Sequence, residues 1–394
     1  MHPNGKTFLL KVALFLAPFA LVLGAEVALF PLDAFAFRVW EAVAVSDNPW
    51  IRQFVPGMPF YPGRRIEKTE TGDLGHHTRY AQPKHVVWEI DPWGFRNRPT
   101  GGEPYDLVVV GDSFTVGSAL TQADTLTEAL HRTAGVRAYA YAPGRLKSFL
   151  GETRFRSDPR PTVVFQFLER ELITSIPRLD EVRPVEMTKD RARGPNRQEQ
   201  VPGALSRAWT TAVGALDRYC KGALLLSTRA RLQTAVKAAV YAATGVESAP
   251  DKPALGAVVG ADDRMLFLLG PGANRPIRQA VLDEGLRRLV EFDRAVRQSG
   301  FRFVVLPIPN KENIYYDLLP EPRRPDFLDQ VVAGARNAGI EIVDLQPDFR
   351  AARAEGALLY HLDDTHWTAA GVRIGARALA RALTREPNQV SLGL

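Results

Sequence analysis

A serine hydroxyl, an imidazole and two carboxylates stand in two short stretches of this chain, about 250 residues apart. The first is Val108-Val109-Val110-Gly111-Asp112-Ser113-Phe114-Thr115-Val116-Gly117, and the second is His361-Leu362-Asp363-Asp364-Thr365-His366-Trp367. A serine near its free pKa is a weak nucleophile. It needs a neighbouring base to take its proton, and that base needs a third group to fix its tautomer. Ser113, His366 and one of the two aspartates could fill these roles in chemistry that forms or cleaves an acyl-serine. Taken singly, each stretch has a plainer reading. Gly-Asp-Ser at a strand end is often a turn with an N-capping serine, and the second stretch could be a capping aspartate beside a surface histidine.

For the two stretches to meet, the fold must bring them to one edge. Leu107 to Val110 is a short apolar run bounded by Asp106 and Gly111, as expected of a strand buried on both faces. Val136–Tyr141, Thr162–Leu168, Phe303–Leu306 and Ile340–Val343 read as further strands. Helical stretches separate them: one including Thr125–Leu130, one marked by Leu282, Leu286, Leu289 and Val296 and closed by Gly300, then Phe327–Asn337 and Ala369–Leu383. Strands alternating with helices predict an α/β fold with a parallel sheet and helices on both faces. Ligands of such sheets bind beyond the carboxyl ends of the strands, and Ser113 falls there. Gly111 lets the backbone turn, Gly117 lets the following helix pack closely, and N–H groups at the turn could stabilise an oxyanion.

The chain has 394 residues, 45% of them hydrophobic and 24% charged, which suits a globular protein. The net charge of +6 comes from scattered arginines and reads as a solvated basic surface, with no nucleic-acid partner implied. Cys220 is the single cysteine, so no intrachain disulfide forms. No zinc-type spacing, P-loop or dinucleotide fingerprint appears, so neither metal nor cofactor is expected.

Val12 to Ala25 is an unbroken apolar run that resumes from Val27 to Phe30, about the 20 residues a membrane span needs. Lys6 and Lys11 precede it and no Lys or Arg follows until Arg38, which places the bulk of the chain outside the cytoplasm. The rival is a cleaved signal peptide, for which Leu23-Gly24-Ala25 is a mediocre site. The expected organisation is a cytoplasmic stub and uncleaved anchor (1–37), a lead-in segment (38–100), one catalytic domain (101–385) interrupted by a helical insertion (176–260), and a tail (386–394). Within the insertion, Leu232, Val236, Val240 and Ala243 stand at helical spacing.

Gly111-Asp112-Ser113-Phe114 resembles the first block of the SGNH (GDSL) hydrolase superfamily, and Asp363-Asp364-Thr365-His366 resembles its last. The resemblance covers roughly residues 86–175 and 262–385. It implies a three-layer α/β/α flavodoxin-like fold with Asp and His close together near the end. Ala142-Pro143-Gly144 is similar to the second block, which implies that Gly144 donates its N–H to an oxyanion. The third block departs: where the family has Gly-x-Asn-Asp, this chain has Phe165-Gln166-Phe167-Leu168-Glu169-Arg170, so either Gln166 or Arg170 would replace the Asn donor or the site would manage with fewer donors.

Asp364-Thr365-His366-Trp367, Glu169-Arg170 and Pro309-Asn310-Lys311-Glu312-Asn313-Ile314-Tyr315 resemble a narrower group, the SGNH-like O-acetyltransferases of alginate and exopolysaccharide biosynthesis. In that group the Asp two residues before His completes the triad, favouring Asp364. In the wider superfamily it is the Asp three before, favouring Asp363. The block order also differs, since the alginate enzymes place Asp-x-His-Trp before the serine motif. Lys311 could bind an acidic sugar or hold its loop, and Trp367 could stack on a sugar ring or fill the core.

The resemblance implies an O-acetyltransferase acting on a polysaccharide or cell-envelope glycan, anchored by one span in a bacterial inner membrane with its catalytic domain periplasmic. A membrane partner would supply the acetyl donor. The alternatives are an esterase or deacetylase releasing acyl groups to water, and an inactive glycan-binding protein of the same fold.

Overall fold

The computed structural model describes residues 3–29, 60, 65–75, 79–98, 104–176, 182–184, 257–268 and 277–384. In chain order the strands are β1 (Arg65–Glu70), β2 (Lys84–Glu89), β3 (Leu107–Val110), β4 (Ala138–Tyr141), β5 (Thr162–Leu168), β6 (Ala257–Val259), β7 (Leu266–Leu268) and β8 (Phe303–Ile308). The helices are α1 (Pro3–Leu29), α2 (Ser113–Val116), α3 (Leu126–Ala134), α4 (Leu146–Leu150), α5 (Glu171–Thr174), α6 (Gln279–Gln298), α7 (Lys311–Ile314), α8 (Phe327–Asn337), α9 (Gln346–Ala354) and α10 (Ala369–Thr384). The chain divides into two units, of which residues 62–199 with 249–394 are one and α1 lies in the other. Each is described by itself.

The apolar runs become one parallel sheet in the order β4-β3-β5-β8. The run expected as a strand at Ile340–Val343 adds a single parallel bridge, Val305 to Ile342, at the β8 edge. Alternating side chains divide between two cores. Val108, Val110, Tyr139, Val163, Phe165 and Val305 face α4, α6 and α8. Leu107, Val109, Val164, Val304, Leu306 and Ile308 face α3, α9 and α10. The result is the α/β fold with helices on both faces. Connections leave β3 toward β4 on one side and cross back to β5 on the other, so the end of β3 is the switch point where such sheets bind ligands.

The lead-in segment holds more structure than its sequence implies. β1 and β2 pair antiparallel, from Arg65 with Glu89 to Glu70 with Lys84. Most of the 176–260 insertion, with its expected helix at 232–243, lies outside the described residues, as does the tail. Helix α1 exposes Phe8, Leu10, Leu14, Phe15, Phe19 and Leu21. Among the described residues no helix is long and apolar enough to cross a membrane, so the fold does not show the expected span.

Candidate active site

Ser113 opens α2 directly beyond β3. Asp112 caps that helix, its Oδ1 accepting the Phe114 N–H at 2.8 Å. Gly117 closes it with φ 80, a conformation that glycine adopts without steric cost. Arg96, wholly buried, donates to the carbonyls of Val116 (3.0 Å), Gly117 (2.6 Å) and Leu120 (2.8 Å), and its guanidinium lies 4.0 Å from the Trp88 ring centre. Burial lowers it to about 9, with the charges of Glu70, Glu89 and Glu128 opposing the shift. The tight turn that displays Ser113 is therefore fastened from below.

The 361–366 loop brings the second stretch to the same place. His366 Nε2 lies 2.7 Å from Ser113 Oγ, and His366 Nδ1 lies 2.6 Å from Asp364 Oδ1. The same carboxylate oxygen accepts the His366 backbone N–H at 3.0 Å, which fixes the short Asp-Thr-His spacing. Burial would raise Asp364, but the charge of His366 and its hydrogen bonds outweigh it and hold the carboxyl well below the usual range. Burial likewise opposes the imidazolium, yet Asp364, then Asp73 and Asp112, push His366 up to about 9. The arrangement is nucleophile, base and orienting carboxylate in hydrogen-bonded sequence.

Asp363 points elsewhere. Fully buried, it accepts the backbone N–H groups of Gly72 and Gln82, each at 2.8 Å, and pairs with Lys84 Nζ at 2.6 Å. Its own carbonyl accepts from Leu74 (3.1 Å) and Gly75 (2.9 Å). A Cβ on Gly72 would come within 2.0 Å of that carbonyl oxygen, so only glycine lets the two chains approach this closely. Asp363, read above as an alternative triad acid, is thus the residue that ties the β1–β2 bend to the loop.

The structure narrows four other expectations. Lys311 is 2% exposed, and its ammonium donates to the carbonyls of His361 (2.6 Å), Leu362 (3.1 Å) and Asp364 (3.0 Å). With all three hydrogens engaged it holds the loop and has none left for a sugar; burial lowers it to about 8. Trp367 is wholly buried against Phe114, with ring centres 5.7 Å apart, and so cannot stack on a glycan. The Gly144 N–H donates to the Gly111 carbonyl at 2.9 Å, which removes it as a free oxyanion donor. Gln166 lies buried beneath the turn, its Oε1 accepting from Thr115 Oγ1 (2.6 Å) and the Asp112 N–H (3.3 Å). Its Nε2 is buried without a partner among the described residues and out of reach of a substrate.

Arg170 is half-buried, and its backbone N–H donates to Asn310 Oδ1 at 3.3 Å. No hydrogen bond joins Arg170 to Ser113 or His366 among the described residues. The Ser113 N–H, at the head of α2, has no acceptor there either. Beside the serine, Glu171 is raised well above its ordinary value by burial and by the charge and hydrogen bond of Asp112.

The sequence reading missed Asp73. Its Oδ1 accepts the Thr365 N–H at 2.8 Å and its Oδ2 the Thr365 hydroxyl at 2.6 Å. Oxygens of Asp73 and Asp364 and a nitrogen of His366 lie within 4.8 Å of one another, a spacing that a metal ion would accept. Both His366 nitrogens already face Ser113 and Asp364, so a metal here would have to break the serine–imidazole–carboxylate chain. The overlooked signal was Gly72-Asp73-Leu74-Gly75, an acid between two glycines that admit close backbone approach.

Residues 258–393 match the model of the SGNH hydrolase-like domain of the acetyltransferase AlgX. The chain resembles the SGNH-like O-acetyltransferases. A protein of Pseudomonas putida named "Probable alginate O-acetylase AlgJ" is 30% identical over 112 residues. Those residues make up 27% of this chain and 29% of that protein, so the match spans less than a third of the relative. The solved O-acetyltransferase domain of Pseudomonas putida AlgJ shares 29% identity over 33% of this chain and 48% of its own, with a TM-score of 0.28. A solved protein from Slackia heliotrinireducens, named for the SGNH hydrolases, is 13% identical over 71% of this chain and all of its own, with a TM-score of 0.34. The SGNH-like match contains Lys311, Asp364 and His366; Ser113 precedes it by 145 residues (258 − 113).

Proposed function

We propose that this chain is a serine-dependent O-acetyltransferase acting on a polysaccharide or cell-envelope glycan. The observation that carries the reading is the unbroken chain Ser113 Oγ, His366 Nε2, His366 Nδ1, Asp364 Oδ1 at the switch point of the sheet. Ser113 attacks the acyl carbonyl as His366 takes its proton. His366 returns that proton to the departing donor group, leaving acetyl-Ser113. A glycan hydroxyl then loses its proton to His366 and attacks the acyl carbon, and His366 reprotonates Ser113 as it leaves. Asp364 holds the imidazole in the tautomer that faces Ser113 and stabilises its charge in each step. The Ser113 N–H is the donor at hand for the oxyanion, and Arg170 is the second candidate.

The AlgX-type match supports transfer over hydrolysis, and the acetylase name of the Pseudomonas relative supports a glycan acceptor. Anchoring by the amino-terminal helix, with the catalytic unit outside the cytoplasm of a bacterium and a membrane partner supplying acetyl groups, belongs to the same proposal. Its support is the apolar run from Val12, the lysines before it and the exposed apolar side chains of α1. A reporter fused after Leu394 that works only in the cytoplasm would refute that orientation.

The activity test uses a chromogenic acetyl ester with and without oligosaccharide acceptors. Acetyl release should fall by roughly three orders of magnitude or more in Ser113→Ala. Release diverted onto the acceptor supports the transferase. Release that no acceptor diverts from water identifies an esterase, and absence of Ser113-dependent release leaves a glycan-binding protein.

A further inference from the structure

Asp73 reaches the 361–366 loop from the bend between β1 and β2, a segment unconnected in sequence to the residues it touches. It takes both donors of Thr365, the residue between Asp364 and His366. A carboxylate oxygen of Asp73 also lies within 4.8 Å of one of Asp364 and of a ring nitrogen of His366, close enough for each charge to act on the others. We propose that Asp73 is a positioning residue of this site: it locks the Asp364-Thr365-His366 turn, and its charge beside Asp364 adds to the hold on the His366 imidazolium. The inference rests on the serine–imidazole reading above.

Which carboxyl takes a proton first as the pH falls follows from their neighbours. Asp364 faces His366 directly and keeps its charge. Asp73 is exposed as a residue; desolvation of its carboxyl where it meets Thr365, then the Asp364 charge, raise it to about 6. Other charged groups bear on the pair from every side. Lys311 of α7 feels both aspartates, and Asp112 before α2 adds to the pull on His366. Asp363 is neutralised by Lys84 of β2. Burial, then the Lys84 charge, depresses His361 to about 4, so it stays neutral at physiological pH.

The sign follows. Below about pH 6 the pair carries one negative charge; above it Asp73 ionises and a second charge builds beside His366, stabilising the imidazolium. A general base must be neutral, so ionised Asp73 displaces the rising limb of activity toward higher pH. Asp73→Asn keeps an acceptor for Thr365 and removes the charge. Asp73→Ala removes both.

The test titrates the His366 imidazole by NMR in the full chain, alongside the pH profile of acetyl-ester turnover. Asp73→Asn should lower the imidazole midpoint by roughly half a pH unit or more, shift the rising limb with it and keep kcat within a few fold. Asp73→Ala should lose about tenfold or more in kcat with little change in KM. Identical imidazole midpoints in the wild type and a folded Asp73→Asn would overturn the proposal. A shifted midpoint in a chain that turns over no ester would uphold the Asp73–His366 coupling and refute the proposed function alone.

Discussion

Asp363 and Asp364 are adjacent, both buried and both ionically partnered, yet one faces an imidazole and the other a lysine on a different segment. Sequence spacing could not separate them, because a turn of this tightness points consecutive side chains in opposite directions. Two variants separate them by experiment. Asp364→Asn presents an amide N–H to His366 Nδ1, favouring the tautomer whose Nε2 bears a proton and cannot accept one from Ser113. kcat on an acetyl ester should drop by about 10⁴-fold while the fold is kept. Asp363→Asn leaves Lys84 without its carboxylate, and breaking a buried pair on one side costs roughly 3 kcal/mol. Its denaturant midpoint should fall, while kcat measured well below that midpoint stays within about tenfold. A stable but inactive Asp363→Asn would reverse the two roles.

Elements differ in how openly their sequences announce them. β3, β5 and β8 are buried on both faces, so their apolar runs stand out and their positions could be read directly. β1 reads Arg-Ile-Glu-Lys-Thr-Glu, whose alternation of charge disguises a strand, and its partner β2 lay hidden in a Pro- and Gly-rich stretch. That hairpin supplies Asp73 and the Asp363 contacts, so the part of the site that the sequence concealed is the part carried by a polar strand pair. Arg96 was hidden for another reason: a buried arginine leaves no periodicity. Its planar fork reaches several carbonyls at the end of α2 and the Gln122 side chain from separate nitrogens, a spread that a lysine's compact ammonium cannot match. Arg96→Lys should therefore cost about 2–4 kcal/mol and lower acetyl-ester turnover more than it raises KM, because the turn displaying Ser113 loosens. Unfolding in denaturant together with steady-state kinetics checks both. Unchanged stability would mean that the turn holds without the fork.

At the scale of the whole molecule, the site is assembled from three distant parts of the chain: the β1–β2 bend, the turn after β3 and the loop before α10. Residues 258–393 carry the SGNH-like match but only β8 of the four sheet strands. β8 pairs along its length with β5, from Val163 with Phe303 to Leu168 with Ile308, and its side chains enter two cores whose other halves come from residues 107–168. A fragment of residues 258–394 would therefore expose one whole edge of β8 and the apolar faces of α6 and α10 to water, a geometry that invites edge-to-edge association. It should aggregate or give neither a cooperative thermal transition nor a dispersed amide spectrum, whereas residues 62–394 should give both. A cooperative melt from the shorter piece would mean that the matched segment is a domain in its own right, with Ser113 delivered to a preformed His366–Asp364 pair. The interleaving of β3, β5 and β8 argues the opposite: the sheet and the serine–imidazole contact form together.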